Sequence, residues 1–241
     1  MKKRINTECI VIKKTDVNES DRIVKLFSKD LGVLEIFVKG IRKSKNRDIN
    51  ATELGVIAEY CIYQNNNKYN LKSFEINKYL NKIYMDLDKI NLLYYILFVL
   101  NSINIEENLI KKFYNMSKKA LIYLNKEENL INIYIMITVY LFNIIKYEGI
   151  MFDIEKGNIF DIINGKIANS NNYNAIKLNQ EQVKYFKKLF NVDIEGINKL
   201  KFDEKEIITI IIILEKYINY HLHIKIDFTQ LMRRNFLNGV S

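Results

Sequence analysis

Residues 33–47 read Val-Leu-Glu-Ile-Phe-Val-Lys-Gly-Ile-Arg-Lys-Ser-Lys-Asn-Arg. Leu34, Ile36 and Val38 alternate with Glu35, Phe37 and Lys39. That period of two puts one face of a strand on a core and the other in water. Lys39, Arg42, Lys43, Lys45 and Arg47 then bring five positive charges into nine residues. A half-buried strand feeding a basic loop is the unit from which the rest of the amino-terminal third is read.

Similar short runs lie on either side of it: Cys9–Ile12, Arg22–Phe27, Val33–Ile41, Val56–Tyr63 and Tyr69–Ile76, separated by turn residues such as Asn18-Glu19-Ser20 and Gly32. Five strands in fewer than 80 residues predict a small barrel, and the five-stranded OB-fold is the barrel of that size with a nucleic-acid habit. From Leu80 the period becomes helical, with helices predicted over Asp86–Ile103, Glu106–Leu124, Glu127–Lys146, Gln180–Phe190 and Asp203–His223. Between Gly149 and Ile176 the helical pattern breaks. Strand character there covers Asn158–Ile163 and Lys166–Ala168, joined by Asn164-Gly165, a two-residue hairpin signal. The expected architecture is α+β: an OB-fold barrel over residues 1–80, then an α-helical domain over 81–241 carrying a small β excursion near 149–176.

The composition fits a folded, basic protein: 241 residues, 49% apolar and 27% charged, with a net charge of +9. Residues 1–80 hold 16 basic and 10 acidic side chains, so +6 of that charge sits on the barrel. Lys outnumbers Arg 31 to 6, which makes arginine the more informative cation. Four of the six, Arg4, Arg22, Arg42 and Arg47, fall in the first 47 residues, and the others are Arg233 and Arg234. Two cysteines, Cys9 and Cys61, are too few for a disulfide framework or a four-cysteine zinc site. No secretory leader is read at the basic amino terminus, and a cytoplasmic location is expected. The longest apolar run, Leu130–Ile145, contains Asn132, Thr138 and Asn143 and falls short of the roughly 20 residues a bilayer needs, so a buried helix and no membrane association are expected.

Catalytic constellations are scarce. His221 and His223, two residues apart in a helix, point to different faces and make a poor joint metal site. No phosphate-binding glycine loop, nucleophile elbow or zinc-protease motif occurs. The expectation is a non-enzymatic protein with no cofactor and no metal. The basic loop suits phosphate contacts, because displaced counterions drive such binding and a flexible loop follows the backbone. Phe37, on the outward face of its strand, adds a surface on which a base stacks. Arg22 has two readings, as part of that basic surface or in a local ion pair with Glu19 or Asp21.

Thr7–Ile12, Glu19–Phe27, Leu31-Gly32 and Val38–Lys45 resemble, in order and spacing, the opening of the bacterial RecO family of DNA repair and recombination mediators. The helical middle, Tyr147–Ile150 and Tyr217–Leu222 resemble its carboxyl half more weakly. The resemblance implies an amino-terminal OB-fold and a helical domain behind it. It also implies binding to single- and double-stranded DNA, strand annealing, a RecR-like partner, the tail of single-strand-binding protein, and indirectly the loading of a RecA-like recombinase. Carried over by position, Lys39, Arg42, Lys43, Lys45 and Arg47 are the leading DNA contacts, with Lys13, Lys14 and Arg22 secondary. Many relatives carry a four-cysteine zinc insert where this chain has Gly149–Ala168 without a cysteine; zinc is not expected, and the Asn164-Gly165 hairpin is the candidate staple in its place. Two other classes of function stand beside this reading: an RNA-associated OB-fold protein, and a scaffold whose helical body is the working surface.

Overall fold

The alternation of apolar and polar residues in the first 78 positions becomes a closed barrel in a computed structural model of the chain, which describes residues 3–65, 68–169, 175–190, 192, 196–197 and 201–230. Strand β1 (Lys3–Val17) pairs antiparallel with β2 (Asp21–Ser28) on one side and with β4 (Ile57–Asn65) on the other. Strand β2 pairs antiparallel with β3 (Gly32–Val38), β3 runs parallel to β5 (Lys68–Lys78), and β5 pairs antiparallel with β4. The closed order β1-β2-β3-β5-β4 is that of an OB-fold. Its interior is filled by the apolar members of each alternation: Cys9 and Val11, Val24 and Leu26, Leu34, Ile36 and Val38, Ala58, Tyr60 and Ile62. The Tyr60 hydroxyl satisfies itself by donating to the Ala51 carbonyl.

The strand boundaries correct two expectations. Strand β1 is 15 residues long and not confined to Cys9–Ile12. Its flanks carry polar residues on both faces, Arg4, Asn6 and Glu8 outward but Lys14 and Asp16 opposite the inward Val24 and Arg22, and they mask the period in a short window. Strand β3 stops at Val38, not Ile41, because Gly40 adopts φ 65° and turns the chain into a single 3-10 turn, Ile41–Lys43. That conformation costs any residue with a Cβ roughly 1–2 kcal/mol.

The expected helices appear as α1 (Leu87–Ser102), α2 (Ile110–Lys126), α3 (Leu130–Tyr147), α4 (Gln180–Leu189) and α5 (Glu204–Leu222). Asp86, Asn129, Asn179 and Asp203 cap four of them by accepting hydrogen bonds from backbone amides of the first turn. The barrel ends where the period changes, but the chain divides into compact units further on, at Met1–Asn125 and Lys126–Ser241. In the first unit α2 is fastened to the barrel's outside: Tyr114 packs on Phe27 with ring centroids 6.1 Å apart, and Lys118 donates to both carboxylate oxygens of Glu8 at 2.6 and 2.8 Å.

In the second unit α3 is the buried helix the sequence predicts, with both Ile133 and Ile145 at 1% exposure or less. The β excursion is larger than expected. Strands β6 (Asp153–Ile154), β7 (Ile159–Asp161), β8 (Lys166–Ala168) and β9 (Ala175–Lys177) form a four-stranded sheet in the order β6-β8-β7-β9. Its hairpin is not a two-residue Asn-Gly turn. Asp161 pairs with Lys166, leaving Ile162–Gly165 as a four-residue loop, and the Asp161 carboxylate accepts from the amides of Ile163 and Asn164. The loop ties onto the sheet through the Gly165 carbonyl, which accepts from the Asp153 amide at 2.9 Å, and an aromatic cluster packs the same region. Phe152 lies 4.9–5.7 Å from the rings of Phe160, Phe186, Phe190 and Tyr217. Asn66-Asn67, Ser170–Asn174 and Arg233-Arg234 lie outside the described residues.

Candidate nucleic-acid interface

The basic loop is shaped by the turn between β1 and β2. Gly40 donates its amide to the Asp21 carboxylate at 2.7 Å, and that bond, with Ser20 and Asn18, holds the Asp21 carboxyl below its usual range. The Arg42 amide donates to the Ser20 carbonyl at 3.0 Å, and its guanidinium to the Asn18 carbonyl at 3.2 Å. Further along, the Ser44 hydroxyl accepts from the amides of Asn46 and Arg47, a compact side-chain turn. Arg47 reaches back and donates to the Lys39 carbonyl. The expectation of a flexible loop is corrected: this one is held at six or more points and presents its charges preformed.

Those charges are not equivalent. Arg42 also pairs with Asp16 at 3.4 Å, with both side chains partly exposed, and Lys43 pairs with Glu19 at 2.6 Å largely in water. Exposed pairs of this kind are worth about 0–1 kcal/mol and yield readily to a better anion. Lys39 and Lys45 are exposed and have no carboxylate partner among the described residues. Beside them Phe37 stands outward, 46% exposed, opposite Ile23 on β2. Five cations and one open aromatic ring therefore share one end of the barrel wall.

The three secondary cations separate. Lys13 is exposed on β1 and faces outward opposite Lys25, one outward row away from the row that holds Ile23 and Phe37. Lys14 is half-buried and bound to Glu53. Arg22 is 4% exposed and is not a surface residue at all, which corrects its place among the DNA contacts. Its partners are neither Glu19 nor Asp21. Its Nε donates to Asp16 Oδ1 at 2.7 Å, and its Nη1 donates to Glu53 Oε1 at 2.8 Å and to Thr52 Oγ1 at 2.7 Å. Arg22 shares strand parity with Val24 and Leu26, so it points inward at the barrel's end. Burial opposes its charge, but Asp16 and Glu53 more than compensate and raise its pKa. Burial likewise pushes the Glu53 carboxyl up while Lys14 and Arg22 pull it below its ordinary value; Arg22 does the same for Asp16.

The residues that sequence reasoning passed over are on the next strands. A shallow groove between the loop and β5 is lined by Asn46, Arg47, Asp48, Lys72, Ser73, Phe74, Ile76 and Tyr79, with the Tyr79 hydroxyl donating to Asp48 at 2.8 Å. Lys72 was hidden because it is the extra residue of a bulge, where Cys61 pairs with Ser73 and Ile62 with Leu71. No group of three or more His, Cys, Asp or Glu side chains is placed to hold a metal ion among the described residues. His221 instead meets the Ile162 carbonyl at 2.8 Å.

The comparisons with known proteins agree on one kinship. A family model for the amino-terminal part of recombination protein O matches residues 1–80. The chain is similar to the DNA repair protein RecO of Caldanaerobacter subterraneus, 34% identical over 48% of this chain and 47% of that protein. It is also similar to that of Thermoanaerobacter, 38% identical over 43% and 42%. Against these two it spans about half their length. A more distant likeness, 20% identical, to the protein of the same name from Alkaliphilus metalliredigens covers 94% of this chain and 97% of that one.

Proposed function

We propose that this chain, whose residues 1–80 match the amino-terminal model of recombination protein O and which is similar to DNA repair proteins RecO, is a DNA repair and recombination protein that works by holding nucleic-acid strands and makes or breaks no bonds. The observation that carries this reading is the outward face around Phe37: an open ring beside Lys39 and Lys45, which lack carboxylate partners among the described residues, on a loop held in place by the neighbouring turn. Such a face captures a phosphate backbone by releasing its counterions and offers a base one surface to stack on. The substrates are single- and double-stranded DNA, and the outcome is annealing of complementary strands and help in loading a RecA-like recombinase in the cytoplasm. A RecR-like protein and the tail of single-strand-binding protein are the partners that fit this role.

The test is the salt dependence of binding. With Lys39→Ala, Lys43→Ala and Lys45→Ala combined, all on exposed side chains, affinity for a single-stranded oligonucleotide falls and the slope of log K against log salt shallows by about 2, since each lost single-strand contact removes about 0.7. Unchanged affinity and slope overturn the reading. Competition between DNA and RNA oligomers of equal length separates DNA from RNA as the substrate, because a basic barrel alone does not select the sugar.

A further inference from the structure

Strand register draws a line around the outside of the barrel that reaches well past the basic loop. Phe37 is opposite Asn70 on β5, Asn70 is opposite Tyr63 on β4, and Tyr63 is opposite Arg4 on β1. All four are outward positions; Phe37, Asn70 and Arg4 are exposed and Tyr63 is half-buried. Two rings thus flank a side-chain amide on neighbouring strands, about 10 Å apart at the usual strand spacing of about 4.8 Å. The bulge in β5 aims Lys72 at the second ring: its ammonium sits 5.7 Å from the Tyr63 centroid. Bulges re-aim side chains in this way beside working surfaces. Arg4 is steadied by a bond from its Nε to the Cys61 sulfur at 3.2 Å. Neither Arg4 nor Lys72 has a carboxylate partner among the described residues.

The outside of these strands is also segregated by charge. Two residues along, the row reads Asn6, Cys61, Ser73, and two further along it reads Glu8, Glu59, Glu75. That acidic row lies about 13 Å from the Tyr63 row at about 3.3 Å per residue. Burial and the neighbouring Glu8 push the Glu59 carboxyl up, as expected where like charges crowd. A polyanion is admitted along the first row; in the third, Lys118 answers Glu8, and Glu59 and Glu75 carry the repulsion.

We propose that Tyr63, with Lys72 and Arg4, forms a second stacking subsite, and that the line Phe37–Asn70–Tyr63–Arg4 is a track for single-stranded nucleic acid across β3, β5, β4 and β1. The proposal rests on the barrel face being the nucleic-acid surface and adds its strandedness and direction. Two rings on one line engage bases only if those bases are splayed from each other, which a single strand permits and an intact duplex does not. Lys72 leaves the ring when a base takes its place and follows the adjacent phosphate on its flexible stem.

The chain contains no tryptophan, so Phe37→Trp and Tyr63→Trp each install the sole indole. Titration with oligothymidylate quenches both indoles; duplex of the same length, at concentrations that saturate binding, quenches neither beyond a small fraction. Tyr63→Ala weakens single-strand binding about tenfold while Tyr63→Phe and duplex affinity hold, the loss expected of one base-stacking contact. Quenching at Phe37→Trp without any at Tyr63→Trp overturns the track and leaves the basic face standing. Equal quenching of Tyr63→Trp by duplex overturns the strandedness. If neither indole responds and the lysine variant binds as before, the underlying reading fails instead. A melting curve matching that of the parent protein shows that Tyr63→Ala is folded.

Discussion

Two sets of charges stand within a few residues of each other on the same barrel and have opposite fates. Lys14, Asp16, Arg22 and Glu53 form a bonded cluster at the end of the barrel interior, with Arg22 at its centre almost wholly buried. Lys39, Lys43 and Lys45 stand in water, and the one ion pair among them is 61% and 85% exposed on its two sides. The residue types are alike. Place along the chain decides the difference: Arg22 follows Val24 and Leu26 inward on β2, while Lys39, Lys43 and Lys45 lie beyond the end of β3 at Val38. A buried cation has to be partnered because its desolvation is otherwise uncompensated, whereas an exposed one stays available to an incoming anion.

The sharpest way to break this comparison is Arg22→Ala. Removing Arg22 leaves the Thr52 hydroxyl without that donor and leaves Glu53 and Asp16 to Lys14 and Arg42, and costs about 3 kcal/mol, the low end for such pairs because those cations remain and Asp16 is partly solvated. For a chain of this size that lowers Tm by roughly 10 °C in a calorimetric scan. Lys45→Ala moves Tm by no more than about 2 °C, since surface substitutions stay within about 0.5 kcal/mol. Equal effects from the two variants dissolve the distinction. The penalty also carries a pH signature. Asp16 and Glu53 have folded pKa values below their unfolded ones, so the stability they supply is complete above the unfolded values and is lost as pH falls through the folded ones. The gap in stability between the parent protein and Arg22→Ala is full at pH 7 and narrows below about pH 4. A gap that is constant down to pH 2.5, measured by urea unfolding, excludes the carboxylates as its source.

Between the two sets lies Gly40, the residue at which the chain leaves the core-facing strand for the solvent-facing loop. A Cβ there meets only Arg47 Nη2, at 3.7 Å, so crowding is not the obstacle. The left-handed φ of 65° is, and Gly40→Ala costs about 1 kcal/mol. The same substitution strains the amide bond to Asp21 that sets the loop's course, so affinity for single-stranded DNA falls several-fold although no charge is removed. Gly40→Asn, which tolerates that region better, recovers most of both losses. Urea unfolding and a binding isotherm on the same samples check the coupling; stability lost without affinity means that the loop's shape does not matter for binding.

Much of this contrast was legible in the residues, and the part that was not has physical reasons. The alternation in Val33–Val38 and the capping residues before α1, α3, α4 and α5 act over a few positions, so the strands and helices fall close to where the pattern places them. The parity of Arg22 with Val24 and Leu26 was equally visible, but its partner Glu53 is 31 residues away, and no local pattern announces such a pairing. Tyr63 and Lys72 were harder still. They come together only through the closure of β4 on β5, and the bulge that exposes Lys72 leaves no signature in a run that otherwise reads as plain alternation.

The smallest effect tests whether exposed pairing is a reserve and not a seal. Lys43 and Glu19 form a short bond, yet in water such a pair contributes little, so Glu19→Gln leaves Tm within about 1 °C. It does remove a negative charge from the rim of a surface meant for a polyanion. Affinity for single-stranded DNA then rises about two- to threefold at low salt, and the gain vanishes as the Debye length contracts to about 3 Å near 1 M salt. Lys43→Ala in the same background cancels the gain, because the freed ammonium is what the phosphate meets. If Glu19→Gln instead weakens binding, the pair is holding Lys43 in the geometry that the strand requires, and the solvent-facing set is ordered by the same kind of partnership as the buried one.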